Sequence, residues 1–360
     1  VSNGRVENNR LFTGRRGWYC VSGSNGLIFA DNEITGADLQ SSGGGFNCLN
    51  GAASSENVYF ARNRLELMHG WDREAMTSDA GGQAYFGSVT QTNETATVLG
   101  DAPAWGQRNW AGAGVFILDG RGAGQHRRLQ HWDEQRIVLD RAWTIAPDET
   151  SVVSITMFQG HYLLIANTFA DTGSVQFYGT SIENIVAGNT GERMGGFSAL
   201  GLWYHGYQPS WYCQFLGNTI REGIYYHWHS ASNSGIRLLG AHRPPYSGPL
   251  NRGGVVRNNC LENNAKIQVR DTVCDGVVEG NRISHTETGI FVSGKTRGVV
   301  VGENEFEDVA YPTVDEVGQR DADLARLKQF LGGKDPVGIW HFDECTDGRF
   351  PDSSGNNFDA

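Results

Sequence analysis

Short runs of β-branched and aromatic residues, each ending at a turn, recur along most of the chain. In Gly276–Ile283, for example, Val-Val-Glu is followed by a glycine, an asparagine, one variable residue and an isoleucine. The same pattern surrounds nine asparagines, which are Asn9, Asn32, Asn63, Asn167, Asn189, Asn218, Asn259, Asn281 and Asn304. Their spacing returns repeatedly to 22 or 23 residues, with longer steps between some pairs. A fixed period of this length is typical of a solenoid.

The length of the repeat and the absence of a helical period predict three short strands per coil, joined by turns. Strands of successive coils would pair in parallel, and the asparagines would stack at one corner. There an asparagine tolerates left-handed backbone, and its amide can bond to the neighbours above and below. A leucine-rich repeat is the alternative, but its leucine spacing is absent. The pattern resembles the right-handed parallel β-helix of the pectate-lyase-like superfamily, over residues 1–80 and 159–311.

The spacing of the asparagines also predicts the domain organisation. Residues 1–79 and 159–311 form the β-helix, and the 104-residue step between Asn63 and Asn167 contains an insertion at 80–158. Alternating strands in this insertion resemble a small β-barrel that occurs inside carbohydrate-related β-helix proteins. Residues 312–333 have a helical period and predict a short capping or linking helix, and 334–360 resemble the start of a laminin-G/concanavalin-like domain that is cut short. The predicted class is therefore all-β, a right-handed parallel β-helix solenoid with an inserted β-barrel subdomain and a short C-terminal helix.

Composition narrows the range of partners. The formal net charge of −11 argues against nucleic acid and against anionic membrane surfaces. No run of 18 apolar residues predicts a membrane span. The six cysteines show no zinc-binding spacing, and Cys20 and Cys48 fall on similar strands of adjacent coils. They would either stack as free buried thiols, which we favour, or form a disulfide.

The densest group of ionisable residues is 69–74, followed by Asp79. It lies on a second strand line, which follows each asparagine by about ten residues. Asp72 and Glu74 would face the same way on a strand, with β-carbons about 6.5 Å apart. Two carboxylates beside a bond are what glycoside hydrolysis requires, so Asp72, Glu74 and Asp79 are catalytic candidates. Two alternatives remain: Arg73 pairs with these acids and anchors the insertion, or the oxygens bind a cation such as calcium.

Aromatic and basic residues on the later coils provide the candidates for substrate binding. Large rings crowd residues 203–212, and exposed rings favour the faces of sugars, although a satellite hydrophobic cluster beneath a loop is the alternative. Two histidines further along share one face of a predicted strand, where either a catalytic or a structural role would fit. The candidate catalytic histidine is His227. The candidate substrate-binding residues are Arg73, Arg193, Trp203, Tyr204, His205, Tyr207, Trp211, Tyr212 and His229.

These features predict an extracellular or cell-surface carbohydrate-active protein whose partner is a polysaccharide or another glycan. A glycoside hydrolase with paired carboxylates is the favoured hypothesis. A polysaccharide lyase acting by β-elimination, or a non-catalytic glycan-binding adhesin or fibre module, are the alternatives. The sequence assigns no metal site and no cofactor, with calcium the one candidate, and it leaves the oligomeric state open.

Overall fold

The computed structural model describes residues 2–14, 19–20, 23–36, 46–47, 54–68, 74–78, 82–223 and 235–330. The first coils contain β1 (Arg5–Glu7), β2 (Arg10–Gly14), β3 (Tyr19–Cys20), β4 (Asn25–Ala30), β5 (Glu33–Gly36), β6 (Phe46–Asn47), β7 (Ser55–Ala61), β8 (Arg64–Met68) and β9 (Glu74–Thr77). The insertion contains β10 (Gln83–Gly87), β11 (Val89–Asn93), β12 (Ala96–Leu99), β13 (Gly114–Asp119), β14 (His126–Asp133), β15 (Arg136–Leu139) and β16 (Val152–Thr156).

The later coils contain the remaining strands. These are β17 (Gln159–Gly160), β18 (Leu163–Ile165), β19 (Thr168–Thr172), β20 (Ser174–Tyr178), β21 (Ser181–Ile182), β22 (Ile185–Ala187), β23 (Thr190–Met194), β24 (Gly196–Trp203), β25 (Tyr207–Gln208), β26 (Ser210–Trp211), β27 (Gln214–Leu216), β28 (Thr219–Ile220), β29 (Gly235–Gly240), β30 (Asn251–Arg252), β31 (Val255–Arg257), β32 (Cys260–Glu262), β33 (Ile267–Asp271), β34 (Val273–Cys274), β35 (Val277–Glu279), β36 (Arg282–Val292), β37 (Val300–Val301) and β38 (Glu305–Asp315).

Equivalent strands of successive coils pair in parallel, which confirms the right-handed parallel β-helix. The first strand line, immediately before the asparagines, runs through β1, β4, β7, β18, β22, β27, β31, β35 and β37. The second strand line runs through β9, β20, β24, β29 and β33. Inward residues of consecutive coils stack on one another, as Phe29 does on Phe60 with ring centroids 5.3 Å apart. Phe60 pairs in register with Leu164, and all three side chains are buried.

The predicted asparagine stack is confirmed over all nine residues. From Asn32 to Asn304, each amide oxygen accepts two hydrogen bonds, from the backbone N–H and the side-chain amide of the preceding asparagine in the stack, at 2.9–3.0 Å. The expected left-handed backbone is not at the asparagine. It lies one residue earlier, as at Arg62 (φ 53°) and Ala166 (φ 54°), because the preceding residue makes the turn while the asparagine extends toward the next coil.

The stack passes directly from Asn63 to Asn167, so the insertion leaves the solenoid and returns without interrupting it. The inserted strands form an antiparallel sheet in the order β10-β16-β13-β14-β15-β12-β11. Its two end strands, β10 and β11, are separated in sequence by Ser88 alone, which joins the two edges of the sheet as the expected barrel requires. Apolar side chains such as Val115, Ile137 and Ile155 fill its core.

The contacts of the chain divide it into residues 1–314 and 315–360. In the second unit, the predicted helix is present as α1 (Glu316–Phe330). The carboxylate of Asp315 accepts hydrogen bonds from the backbone N–H groups of Val317 (3.0 Å) and Gly318 (3.2 Å), which caps the first turn. The predicted laminin-G-like segment at 334–360 lies outside the described residues. No helix in the described part of the chain is long and apolar enough to cross a membrane.

Three cysteines are described with their side chains, and all three are free thiols. Cys213 and Cys274 are buried and Cys260 is partly buried. Burial raises the pKa of the Cys213 thiol, so this group stays protonated and inert. Cys48 lies outside the described residues, so its predicted partnership with Cys20 stays a prediction.

Candidate functional site

The predicted carboxylate cluster is described only at its edge. Asp72, Arg73 and Asp79 lie outside the described residues, as do His227 and His229. Glu74 begins β9, whose backbone pairs with β20 at Ser174. A catalytic role for these acids and for His227 therefore stays a prediction, as does a cation site between the acids.

A hydrogen-bonded contact joins the end of β9 to the neighbouring coil. The buried Ser78 hydroxyl accepts a hydrogen bond from the backbone N–H of Tyr178 (2.9 Å) and donates one to its carbonyl (3.2 Å). The ring of Tyr178 then packs edge-on against Tyr204, with centroids 5.8 Å apart. The C-terminal end of β9 is thus held beside the aromatic loop through Ser78 and Tyr178.

That loop is a hairpin in which β24 pairs with β25 and Trp203 lies opposite Tyr207. At its tip, His205 (φ 56°) and Gly206 (φ 135°) make a tight turn, closed by a hydrogen bond from the Tyr204 N–H to the Gly206 carbonyl (3.0 Å). Trp203 is 39% exposed and Tyr204 is 42% exposed. The hairpin therefore presents two large rings to solvent, and their role as a sugar subsite stays a prediction.

A basic side chain lies over one of these rings, and a histidine lies against the other. The guanidinium of Arg243 lies 3.6 Å from the centre of the Trp203 ring, and the ring of His205, which is exposed, packs 4.4 Å from Tyr204. We call Trp203, Tyr204, His205 and Arg243 the aromatic platform. It offers ring faces together with guanidinium and imidazole hydrogen-bonding groups, the combination that binds the apolar faces and the hydroxyls of sugars.

Two of the predicted substrate-binding rings have another role, and the prediction is wrong for them. Tyr207 is 5% exposed and Trp211 is fully buried, so neither offers a face to a ligand. Tyr207 packs 4.2 Å from Phe86 of the barrel, and Trp211 packs 5.2 Å from Phe116. The Ser154 hydroxyl also donates to the Tyr207 carbonyl (2.7 Å). These two rings pack between the barrel and the solenoid. Their apolar surface is removed from water there, which stabilises the contact between the two parts.

Two further candidates are committed to protein contacts. The half-buried Tyr212 donates its hydroxyl proton to the Gly124 carbonyl of the barrel (2.8 Å), and burial raises the pKa of this hydroxyl. Arg193 binds both oxygens of Asp171 (2.6 and 3.0 Å) and one oxygen of Glu192 (2.6 Å). These partners raise the pKa of Arg193 and balance its charge, which weighs against capture of a substrate carboxylate.

A second concave surface, which the sequence analysis missed, lies on the first strand line beside the barrel. It is a groove of about 520 Å³ lined by Asn57, Val58, Tyr59, His161, Leu163, Glu183, Ile185 and Gln214. The Nε2 atom of His161 lies 2.8 Å from the Glu183 carboxylate, and its Nδ1 atom lies 3.9 Å from Glu56. Glu56 in turn binds Arg128 of the barrel through two contacts, at 2.5 and 2.7 Å.

A second histidine near this groove, His126, belongs to the barrel and has a strongly shifted pKa. Burial lowers the pKa of His126 to about 4, and the nearby charge of Glu183 opposes this shift only in part. His126 is therefore neutral at neutral pH, and His161 is the imidazole that bridges the two carboxylates.

The repeat itself contained a signal for this groove. His161 and Glu183 are 22 residues apart, which is the length of one coil. Each follows a buried two-residue strand, and each has left-handed backbone itself (φ 56° and 54°). Aligning the coils at this corner would have brought the two ionisable side chains together. Within the described ranges, no group of three or more His, Cys, Asp or Glu side chains is arranged to hold a metal ion.

Neither a known protein family nor a curated protein matches the chain. Among solved structures, the tailspike of Acinetobacter baumannii bacteriophage AP22, solved with an A. baumannii capsular saccharide, is similar at 9% identity and a TM-score of 0.26. The match covers 79% of this chain and 52% of that one. The tailspike gp61 of Pseudomonas phage phi297 matches at 9% identity and a TM-score of 0.23, over 78% and 66% of the two chains. PfbA, a surface adhesin of Streptococcus pneumoniae, matches at 10% identity and a TM-score of 0.20, and the match covers 84% of this chain and 85% of that one. Similarities this low carry no inference about function.

Proposed function

We propose that the protein acts at or outside a cell surface, where it binds a polysaccharide on the aromatic platform and hydrolyses it with the carboxylates of the adjoining coil. The observation that carries this proposal is the exposure of two consecutive large rings, Trp203 and Tyr204, on one hairpin. Tyr204 is linked through Tyr178 to Ser78, the residue that precedes Asp79. A sugar on the platform would thus lie near the C-terminal end of β9, the strand that begins at Glu74.

The chemistry of the platform suits a sugar. The exposed rings can stack on the C–H face of a pyranose, while the Arg243 guanidinium donates to its hydroxyls. The hairpin is held by the buried Tyr207 and by β-sheet pairing, so little conformational entropy is lost when a ligand binds.

Hydrolysis is favoured over elimination because the two reactions need different groups. Elimination requires a cation that neutralises a substrate carboxylate. The candidate Arg193 is already paired with Asp171 and Glu192, and the Arg243 guanidinium lies over the Trp203 ring. Hydrolysis requires a pair of carboxyl groups, which Asp72, Glu74 and Asp79 would supply.

The test is to incubate the protein with a panel of polysaccharides while following new reducing ends and the near-ultraviolet absorbance of new double bonds. We expect reducing ends without absorbance. The isosteric variants Asp72→Asn and Glu74→Gln should each lower turnover by about 10²-fold or more, and Trp203→Ala should weaken binding. Glu66→Gln, a change at a partly exposed ion-paired acid of β8, is the matched control and should behave as wild type.

Three other results would change the proposed function. Absorbance at the rate of cleavage would show elimination in place of hydrolysis. Reducing ends that persist in both acid variants would contradict the assignment of the acids. Binding that depends on Trp203 without any product would reduce the function to glycan binding.

A further inference from the structure

We infer that the groove beside the barrel is a second glycan-binding site, one that takes uncharged sugar residues. It lies on the first strand line, whereas the aromatic platform lies on the second. Its ligand class follows from the groups that line it, and the inference does not depend on hydrolysis by the platform side of the molecule.

The floor of the groove is apolar and is built by the repeat. Tyr59, Leu163 and Ile185 are consecutive partners in the parallel register of β7, β18 and β22. Gln214 of β27 continues the row at the rim. Side chains alternate along a strand, so these four project from the same outer face. Leu163 is 38% exposed there. A row of aliphatic side chains next to a tyrosine ring is a surface on which the C–H face of a sugar can lie.

The rim of the groove carries hydrogen-bonding groups. Asn57 and Gln214 contribute side-chain amides, which both donate and accept. The Glu183 side chain remains 44% exposed although it contacts His161, so its carboxylate can accept hydrogen bonds from the hydroxyls of a ligand. A carboxylate that accepts from sugar hydroxyls forms charge-assisted hydrogen bonds, which are stronger than neutral ones.

A line of polar contacts fixes the position of that carboxylate. Arg128 binds Glu56, Glu56 lies next to His161, and His161 contacts Glu183. Arg128 also packs over Phe158, 4.2 Å from the ring centre, so the line begins at a buried anchor. In this line Glu56 and His161 are positioning residues, and Glu183 is the group that contacts the ligand.

The charges of the groove select against anionic sugars. Glu183 lies on the rim, and Glu56 lies behind it. Arg62, which donates to the Tyr59 hydroxyl, is itself bound to both oxygens of Asp31 (2.7 and 2.6 Å). Among the described residues, the guanidinium groups of Arg62 and Arg128 are already ion-paired, so a uronic acid or a sulfated sugar would meet the Glu183 carboxylate, whereas a neutral hexose or an N-acetylhexosamine brings no charge to it.

The role of anchoring the barrel does not account for the groove. Anchoring explains Arg128 and Glu56, but it does not explain why His161 and Glu183 stay 37% and 44% exposed beside an apolar floor. A volume of about 520 Å³ lies within the size range of ligand pockets.

The experiment is titration calorimetry of the full chain with cellohexaose, maltohexaose and N-acetylchitohexaose. We expect at least one of these neutral probes to bind, and Glu183→Gln to weaken that binding about tenfold or more. Gln214→Trp, a change on the solvent face that fills the groove without removing the His161 contact, should abolish it. Glu279→Gln is the matched control, because Glu279 is an ion-paired acid on β35 of the same sheet, away from the groove.

Trp203→Ala separates this inference from the proposed function. If the groove binds, this variant should retain the component of binding that Gln214→Trp removes. Binding that disappears in Trp203→Ala and survives both groove variants would overturn the inference and leave the platform intact. Failure of all three probes to bind would also overturn it. Equal loss of affinity in Glu279→Gln and Glu183→Gln would show a general charge effect, and would reject Glu183 as the group that contacts the ligand.

Discussion

Replacement of Asn167 by alanine should be among the most destabilising single changes in the solenoid. Asn167 is 1% exposed and is the first asparagine after the inserted barrel. Its side-chain oxygen accepts from the backbone N–H (2.9 Å) and the amide (3.0 Å) of Asn63, and its own amide donates to Asn189 (2.9 Å) and to the Phe60 carbonyl (3.0 Å).

The magnitude follows from these four buried bonds. A typical bond of this kind contributes about 1 kcal/mol net, and a buried donor left without a partner costs about 1–3 kcal/mol. Alanine removes all four bonds and leaves the Asn63 N–H without its acceptor. The expected loss in the free energy of unfolding is therefore about 4–6 kcal/mol. Asn167→Asp should cost at least as much at neutral pH, because it removes both donors and places a charge inside the stack.

The assay is urea unfolding of wild type and variants, followed by two spectroscopic probes, with the m-values compared. Asn9→Ala is the control, since Asn9 begins the stack and its side-chain bonds to Glu7 and Asn32 lie at an exposed or half-exposed position. We expect that control to lose less than about 1 kcal/mol. Losses for Asn167→Ala and Asn9→Ala that agree within about 0.5 kcal/mol would refute the argument that the buried stack holds the coils together.

Two other changes probe the junction of barrel and solenoid. Burial lowers the pKa of His126 from 6.5 to about 4, so the unfolded chain binds the proton more tightly than the folded chain does. The free energy of unfolding should therefore fall by about 2–3 kcal/mol as the pH drops from about 6.5 to about 4. His126→Gln should flatten this part of the pH profile of the melting temperature, and an unchanged profile would contradict the assignment. Tyr207→Ala should cost about 3–5 kcal/mol because it leaves a cavity against Phe86. Trp203→Ala, on the same hairpin, should change stability by less than about 0.5 kcal/mol, and equal losses in the two melting curves would refute the division between buried and exposed rings.

A feature could be predicted from the sequence where its residues recur once in every coil. The asparagines recur with the coil, so their stack was predictable, even across the 104-residue step between Asn63 and Asn167. The aromatic run could not be divided into core and surface in the same way. Tyr207 and Trp211 are buried only because the barrel packs onto them, a contact between segments far apart in sequence.

The groove escaped prediction for a related reason. His161 and Glu183 look like isolated charges when the chain is read along its length, and an isolated histidine is most often structural. They become a pair only when the coils are aligned at a corner other than that of the asparagines. Glu56 and Arg128 then join them through the barrel, across 72 residues of sequence. Local pattern cannot reveal a contact of that kind.

The barrel contributes to both candidate surfaces, and the uninterrupted stack shows why this matters. Because Asn63 bonds directly to Asn167, the register of the solenoid does not need the insertion. The contacts that the barrel does make lie behind the two proposed ligand sites. Phe86 packs under the hairpin that presents the aromatic platform, and Arg128 holds the Glu56 carboxylate beside the groove. We therefore expect substitutions at Phe86 and Arg128 to weaken ligand binding at the platform and at the groove while the coils stay folded. The barrel would then position the two sites without being needed for the fold of the solenoid.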